Sequence, residues 1–392
     1  MTSLFLNDTL IGTRKGQEFT FKKTNQIDEL LNYQPEIALI FSVELDFNIY
    51  SLWKSYIEKS KFKFCIICYS FKEYYAKYNS THLQTVCPIY AEETGFKIDA
   101  LGYINSLKIL LYPANYSRNW IYFYNLPQIE HTNKNIKHIH IGHGDSDKPS
   151  SYIRAQKIYD YILLADQTAI NRYKNNNINL PDSIYLKMGA PIAPGMESID
   201  HPSSLKNILY IPTFEGNNAQ SNYSSLKTLH TKLVKYFKED TQNHTLSFRP
   251  HPATGSRISE YADYVEELKK VASFYELPKS EIFNKSDAAI CDISGITSEY
   301  LFTGKPIIIP ICDETTMRTL KASTLSKVAY LWSVNSIPLD TFLKSIAQDP
   351  LFSIRKKYRD EKFLHAINFD ESAANFDKAL EHAIIQPPLP LE

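Results

Sequence analysis

The sequence predicts an α/β protein of two doubly wound domains, on three observations. Continuous apolar runs rich in β-branched and aromatic residues alternate with amphipathic stretches, the pattern of parallel strands covered on both faces. A composition shift at Gly189-Ala190-Pro191-Ile192-Ala193-Pro194-Gly195, followed by Met196 to Lys206, divides that pattern into two similar halves. At 392 residues and 43% hydrophobic composition the chain exceeds one core, since single cores stop growing at roughly 250–300 residues.

Composition narrows the partners. Lys+Arg 43 against Asp+Glu 43 leaves no net charge, so no overall field favours nucleic acid, and any anion site must be local. Five cysteines, an odd and scattered set, suit a reducing cytoplasm. Cys65-Ile-Ile-Cys68 has zinc or redox spacing but lies inside an apolar strand run with no matching second pair, which favours a core strand. The N-terminus has no signal-peptide pattern, and no window approaches 18 uninterrupted apolar residues. The expectation is a protein neither secreted nor membrane-spanning.

In the first half, Glu36–Ser42 and Phe62–Ile67 read as buried strands flanking a helix at Tyr50–Lys59. Further strands are expected at Thr85–Ile89, Leu107–Tyr112, Ile136–Ile141, Tyr161–Ala165 and Ser183–Met188, with helical pieces at Ser151–Tyr159 and Gln167–Lys174 completing βαβ units. The run Ile139-His140-Ile141-Gly142-His143-Gly144-Asp145-Ser146-Asp147-Lys148 reads as a strand delivering a histidine into a turn. Glycine on both sides of His143 frees the backbone at a strand's carboxyl end, where open α/β sheets bind ligands. A buried histidine in a tight turn is the plainer alternative. His138, His140 and His143 crowd one strand end as metal ligands would, but a metal is disfavoured, because 138 and 140 share one face, 143 lies past the turn and no nearby Glu-x-x-His or Cys completes a set. Asp145 and Asp147 read as turn and capping residues, or as groups that orient His143 or hold an acceptor hydroxyl. Lys148 could pair with them or steady a phosphate.

The second half opens with the strand Asn207 to Phe214, then a polar, mobile loop over Glu215–Ser225 and a helix at Leu226–Phe237. Strand Thr245–Phe248 ends in Arg249-Pro250-His251-Pro252, where two prolines hold Arg249 and His251 rigidly enough to grip a phosphate. A surface turn with a paired arginine would look the same. Strand Ala288–Cys291 leads into Asp292-Ile293-Ser294-Gly295-Ile296-Thr297-Ser298-Glu299, with Ser294 as a natural N-cap, Gly304 as a helix stop and Pro306 opening a further strand. The N–H groups and positive dipole end of that short helix form an anion site, to which Ser294, Thr297 and Ser298 add hydroxyls.

These motifs together resemble the CDP-glycerol glycerophosphotransferase family, the teichoic-acid and capsule polymer transferases, from about Ile136 to about Pro310. The likeness lies in a His-Gly-x-x-x-Lys motif at His143-Gly144 to Lys148, a Pro-Thr motif at Tyr210-Ile211-Pro212-Thr213, a basic-x-His-Pro motif at Arg249 to Pro252, and an Asp-x-Ser motif running from Asp292 and Ser294 through Glu299 to Lys305-Pro306. The chain departs from the family at Gly295 for a second serine, at Glu299 for aspartate, at Phe214-Glu215-Gly216 for Trp-Arg, and at Ile192 for the arginine of the Gly-x-Pro-Arg linker motif. These departures leave the donor's alcohol, glycerol, ribitol or another, open.

The resemblance implies a GT-B architecture, two Rossmann-like domains facing across a cleft. It implies an acceptor-side domain over residues 1–195, a nucleotide-donor domain over 205–370, and a C-terminal helix within 371–392 returning to the first domain. It implies His143 as general base, with Asp145 and Lys148 completing the catalytic group. His251 and the hydroxyls of Ser294, Thr297 and Ser298 are assigned to the donor diphosphate, with Thr213, Arg249, Asp292 and Glu299 around them. The implied reaction is transfer of a polyol phosphate from a CDP-activated donor to a glycan or lipid-linked glycan, with release of CMP. It needs no cofactor or metal ligand set by its chemistry, with Mg2+ an optional companion of the diphosphate. The setting is the bacterial cytoplasm, including peripheral contact with the inner membrane or a capsule assembly complex. A nucleotide-sugar glycosyltransferase and a non-catalytic binding protein of the same fold are the alternatives.

Overall fold

The computed structural model describes residues 2–6, 9–14, 17–22, 32–41, 46–68, 86–90, 106–113, 136–142, 144–146, 151–201, 205–216, 222–239, 244–275, 277–321 and 323–386. The chain opens with a three-stranded antiparallel meander, β1 (Thr2–Leu6), β2 (Thr9–Arg14) and β3 (Gln17–Lys22), a stretch in which the sequence pattern indicated no element. A seven-stranded sheet follows, formed by β4 (Ile37–Phe41), β5 (Phe64–Cys68), β6 (Val86–Tyr90), β7 (Ile109–Tyr112), β8 (Lys137–His140), β9 (Tyr161–Leu164) and β10 (Tyr185–Lys187). Its order is β10-β9-β8-β7-β4-β5-β6, and all its pairings are parallel. Strand order therefore reverses between β4 and β7, which opens a crevice at the carboxyl ends of the strands next to β8.

The second sheet has the order β13-β12-β11-β14-β15-β16, also parallel throughout. Its strands are β11 (Asn207–Ile211), β12 (Thr245–Phe248), β13 (Phe274–Tyr275), β14 (Ala288–Cys291), β15 (Ile307–Ile311) and β16 (Tyr330–Ser333). Strands β7, β8, β11 and β14 are buried at every position; β7, β11 and β14 accordingly run almost wholly apolar without alternation, whereas β8 buries Lys137, His138 and His140. This sheet reverses between β11 and β14, so the Thr213 and Asp292 turns flank its crevice. The fold is the mixed α/β, two-domain GT-B class.

Helices α1 (Asp46–Lys59), α2 (Gln167–Asn175), α3 (Leu226–Glu239) and α4 (Glu260–Lys269) cover the sheets. After them come α5 (Lys279–Lys285), α6 (Gly295–Tyr300), α7 (Glu314–Lys321), α8 (Leu325–Val328), α9 (Leu339–Ile346), α10 (Phe352–Lys362) and α11 (Phe369–Ile385). The stretch expected as a helix over 151–159 is instead a single 3-10 turn, Arg154–Ile158. Gln156 caps the start of this turn, its Oε1 accepting from Ile153 N at 3.1 Å.

Two chain segments join the halves side by side. Ala190 N donates to Lys362 O at 3.0 Å, and Gly189 (φ +84°) lies so close to Phe363 that an added Cβ would stand 3.0 Å from its carbonyl. Only glycine meets both conditions. Beyond this crossing, α11 lays Ala373, Phe376, Ala379, Leu380 and Ala383 onto the first sheet's core with Trp53 and Tyr56 of α1. The Tyr56 hydroxyl lies 2.7 Å from Ser372 Oγ and accepts from Ile192 N at 2.8 Å, so α1, the connecting segment and α11 meet on one oxygen. Burial pushes that phenol up to about 12.

Candidate active site

At the end of β8 the two strand histidines are committed to buried partners. His138 Nδ1 and the Tyr112 hydroxyl are 2.8 Å apart, and His140 Nε2 is 2.9 Å from Gln156 Nε2. An amide nitrogen only donates, so His140 Nε2 accepts and the neutral ring carries its proton on Nδ1. Gln156 Oε1 in turn accepts from the Tyr173 hydroxyl at 2.6 Å. Among the described residues no three His, Cys, Asp or Glu side chains gather at metal-binding distance. His143 and Lys148 lie outside the described residues. Gly142 (φ +61°) and Gly144 (φ +90°) bracket the turn, and a Cβ on Gly144 would stand 3.0 Å from Leu52 Cδ2.

Asp145 lies just past that turn with a side chain 4% exposed. Arg172 of α2 grips it with both nitrogens, Nη1 to Oδ1 at 2.7 Å and Nη2 to Oδ2 at 3.2 Å. Lys362, the last residue of α10, places Nζ 2.6 Å from Oδ2. Ser298 Oγ of α6 donates to the same oxygen at 3.1 Å. Burial alone would raise the carboxyl pKa, but the Arg172 and Lys362 charges outweigh it and hold the group well below the usual carboxylate range. Burial disfavours the Lys362 charge in the same way, and Asp145 overcomes it, so that ammonium sits above its ordinary value.

On the second sheet, Asp292 follows β14 and accepts from Thr213 N at 2.8 Å and from Ser225 N at 3.2 Å. Thr297 Oγ1 donates to Asp292 O at 2.5 Å, closing the turn into α6 from beneath. Ser294 holds the N-cap position in extended backbone (φ −161°, ψ 168°) with no capping bond from its own hydroxyl, which lies 3.4 Å from Thr297 Oγ1. The three hydroxyls expected at this helix start thus separate by task, Thr297 bracing the turn, Ser298 reaching Asp145 and Ser294 standing at the N-cap.

Arg249 follows β12 and is anchored by Nη1 donating to Leu277 O at 2.7 Å. Burial lowers its pKa against the opposing pull of Glu299. Glu299 itself is ion-paired with Lys279. His251 stacks on Phe214 with ring centroids 4.9 Å apart, and its Nδ1 accepts from Ala253 N at 3.1 Å. Lys305 is turned inward, donating to the carbonyls of Phe283 and Asn284 at 3.0 and 2.8 Å.

Sequence reasoning missed four contributors. Glu215, expected in a mobile loop, is fully buried and accepts from the N–H groups of Gly255, Arg257 and Ile258 at 3.1, 2.9 and 3.1 Å. It clamps the segment that follows His251. Ser225, at the far end of the same stretch, is also buried, 2.9 Å from the Tyr210 hydroxyl. Arg172 and Lys362 read as helix-surface charges. Nothing in the local sequence marks Arg172, whereas Lys362 has one signal, the spacing of Arg355, Arg359 and Lys362, cations at i, i+4 and i+7 that share a helical face, and all three are buried.

Residues 196–325, from the connecting segment through β15 to the start of α8, match the model of CDP-Glycerol:Poly(glycerophosphate) glycerophosphotransferase. The match covers about a third of the chain. Among curated proteins no sequence matches significantly. Similar solved structures include the wall teichoic acid polymerase TagF, at 13% identity and a TM-score of 0.53 over 93% of each chain. A glycosyltransferase from Rickettsia africae aligns at 11% identity and a TM-score of 0.52, over 90% of this chain and all of the other. The kitacinnamycin glycotransferase aligns at 10% identity and a TM-score of 0.52, over 88% of this chain and 99% of that one. At such identities these structures speak for the fold. Among the described residues no helix is long and apolar enough to cross a membrane.

Proposed function

We propose that the protein is a transferase that moves a glycerol phosphate, or a related polyol phosphate, from a CDP-activated donor to a hydroxyl of a capsule-type or teichoic-acid-type glycan, releasing CMP. The observation that carries this reading is the family match over residues 196–325, which takes in the strand ends bearing Thr213, Arg249, His251, Asp292 and Ser294. The acceptor oxygen attacks the donor's β-phosphorus, the bond from that phosphorus to the bridging oxygen breaks, and the electron pair leaves with CMP. The hydroxyl proton passes to a base, the role assigned to the His143 imidazole, with Lys148 steadying the phosphate.

Arg249 and His251 are assigned to the donor diphosphate. The tautomer of His251 suits that task, because a ring whose Nδ1 accepts from Ala253 N carries its proton on Nε2 and presents a donor there. Ser294 and the N–H groups at the start of α6 take part of the remaining charge. Thr213, Asp292 and Thr297 act behind them by fixing the turns, and Glu299 with Lys279 borders the arginine. The acceptor in this reading is a glycan or lipid-linked glycan met by peripheral contact at the cytoplasmic face of the membrane or in a capsule assembly complex.

Incubating the protein with CDP-glycerol, CDP-ribitol and, separately, nucleotide sugars tests the reading. CMP release from a CDP-polyol in the presence of acceptor glycan is expected. Sugar transfer from a nucleotide sugar without CMP release would make the protein a glycosyltransferase, and inertness toward all of them would make it a binding protein.

A further inference from the structure

Asp145 stands where pieces of chain from both halves meet. It follows the turn at the end of β8, is gripped by Arg172 from the first half and Lys362 from the second, and receives the hydroxyl of Ser298 from α6. A carboxylate so enclosed has its oxygens taken up by protein donors and is poorly placed to receive a substrate hydroxyl. Ser298 is four residues beyond Ser294 on the helix assigned above to the donor. The cluster also lies beside the crossing of the two connecting segments, since the Lys362 carbonyl accepts from Ala190 N. Lys362 Nζ is a further 3.9 Å from Asp166, whose Oδ1 caps α2, so the helix that carries Arg172 is tied into the same group.

We infer that Asp145 is a positioning residue that couples the turn at the end of β8 to the donor-side helix, by accepting the Ser298 hydroxyl across the two halves of the molecule. This inference rests on the transferase reading above for its consequence in catalysis, but the coupling itself is a property of the fold. Leu52 of α1 lies beside the turn, close enough that a Cβ added at Gly144 would stand 3.0 Å from its Cδ2. A shift of α6 is passed to β8 through one charge-assisted hydrogen bond, and the ion pairs keep its acceptor charged.

Ser298→Ala deletes the bridging hydroxyl and leaves the ion cluster in place, so it is the informative variant. Amide hydrogen exchange is expected to quicken in the segment 139–146 of the other half, and Asp145→Asn is expected to quicken exchange over 295–300. With CDP-glycerol, Ser298→Ala is expected to lower kcat about tenfold, the scale of a lost bond to a charged group, with CDP affinity held within about twofold. The double variant of Ser298→Ala with Asp145→Ala, which removes the acceptor outright, should be no slower than Asp145→Ala alone. Unchanged exchange over 139–146 in Ser298→Ala, or additive losses in the double variant, would overturn the coupling. If Asp145→Asn does not fold, the exchange result for Ser298→Ala decides alone. A wild-type protein that releases no CMP from CDP-polyols would sink the transferase reading, while the exchange measurement would still decide the coupling.

Discussion

The Asp292 carboxylate receives the backbone N–H of Thr213 at 2.8 Å, tying together the ends of β11 and β14 where the strand order of the second sheet reverses. The same carboxylate takes Ser225 N, so one buried side chain shapes both turns that border the crevice. Removing it strands two buried N–H groups. Asp292→Ala is expected to cost about 2–6 kcal/mol, at roughly 1–3 kcal/mol for each unsatisfied group, and Asp292→Asn less, because the amide oxygen still accepts. Urea denaturation of the two variants checks the order.

Arg249→Met and His251→Ala should each weaken CDP binding, since charge-assisted bonds to a diphosphate are worth about 1.5–3 kcal/mol. Calorimetry with CDP measures this directly. Unchanged affinity in both variants would move the donor site away from the end of β12.

His143→Ala should slow transfer by roughly 10² to 10⁴ and leave CDP binding nearly intact, the signature of a lost general base. His143→Asn should do no better, because an amide cannot take the proton. If the residue is only structural, both variants should instead lower the melting temperature and impair turnover in proportion.

The ion cluster sets a pH window. The folded-state pKa of Asp145 lies below its ordinary 3.8, so its contribution to stability is complete above that value and fades as pH falls toward the folded pKa. Lys362 is shifted upward from 10.5, so its contribution is complete below 10.5 and is lost as pH rises through the folded pKa. The stability gap between wild type and Asp145→Asn should be level from about pH 5 to pH 9 and narrow below pH 4, given reference carboxyl values of about 3.9. Denaturant midpoints across that range test it, and a gap that widens in acid would contradict the assignment of charge.

The sequence by itself determined the layers and the places where chemistry can stand. Unbroken apolar runs such as Ile208-Leu209-Tyr210-Ile211 and Ala288-Ala289-Ile290-Cys291, short and bounded by turn residues, read as strands buried on both faces. Gly142, Gly144, Pro250, Pro252 and Ser294 mark turns through their local backbone preferences, and such preferences act over a few residues. Partner choice is a different kind of information. Asp145 and Ser298 are 153 positions apart, and nothing in either neighbourhood names the other. Glu215 and Lys362 carry charges whose local context reads as solvent-facing, yet the fold buries both, because a charge enters a core only where opposite charge or aligned N–H groups offset its desolvation. Those offsets come from Arg257 and Ile258 in one case and from Asp145 in the other, groups brought near only when the sheets and the crossing segments have packed.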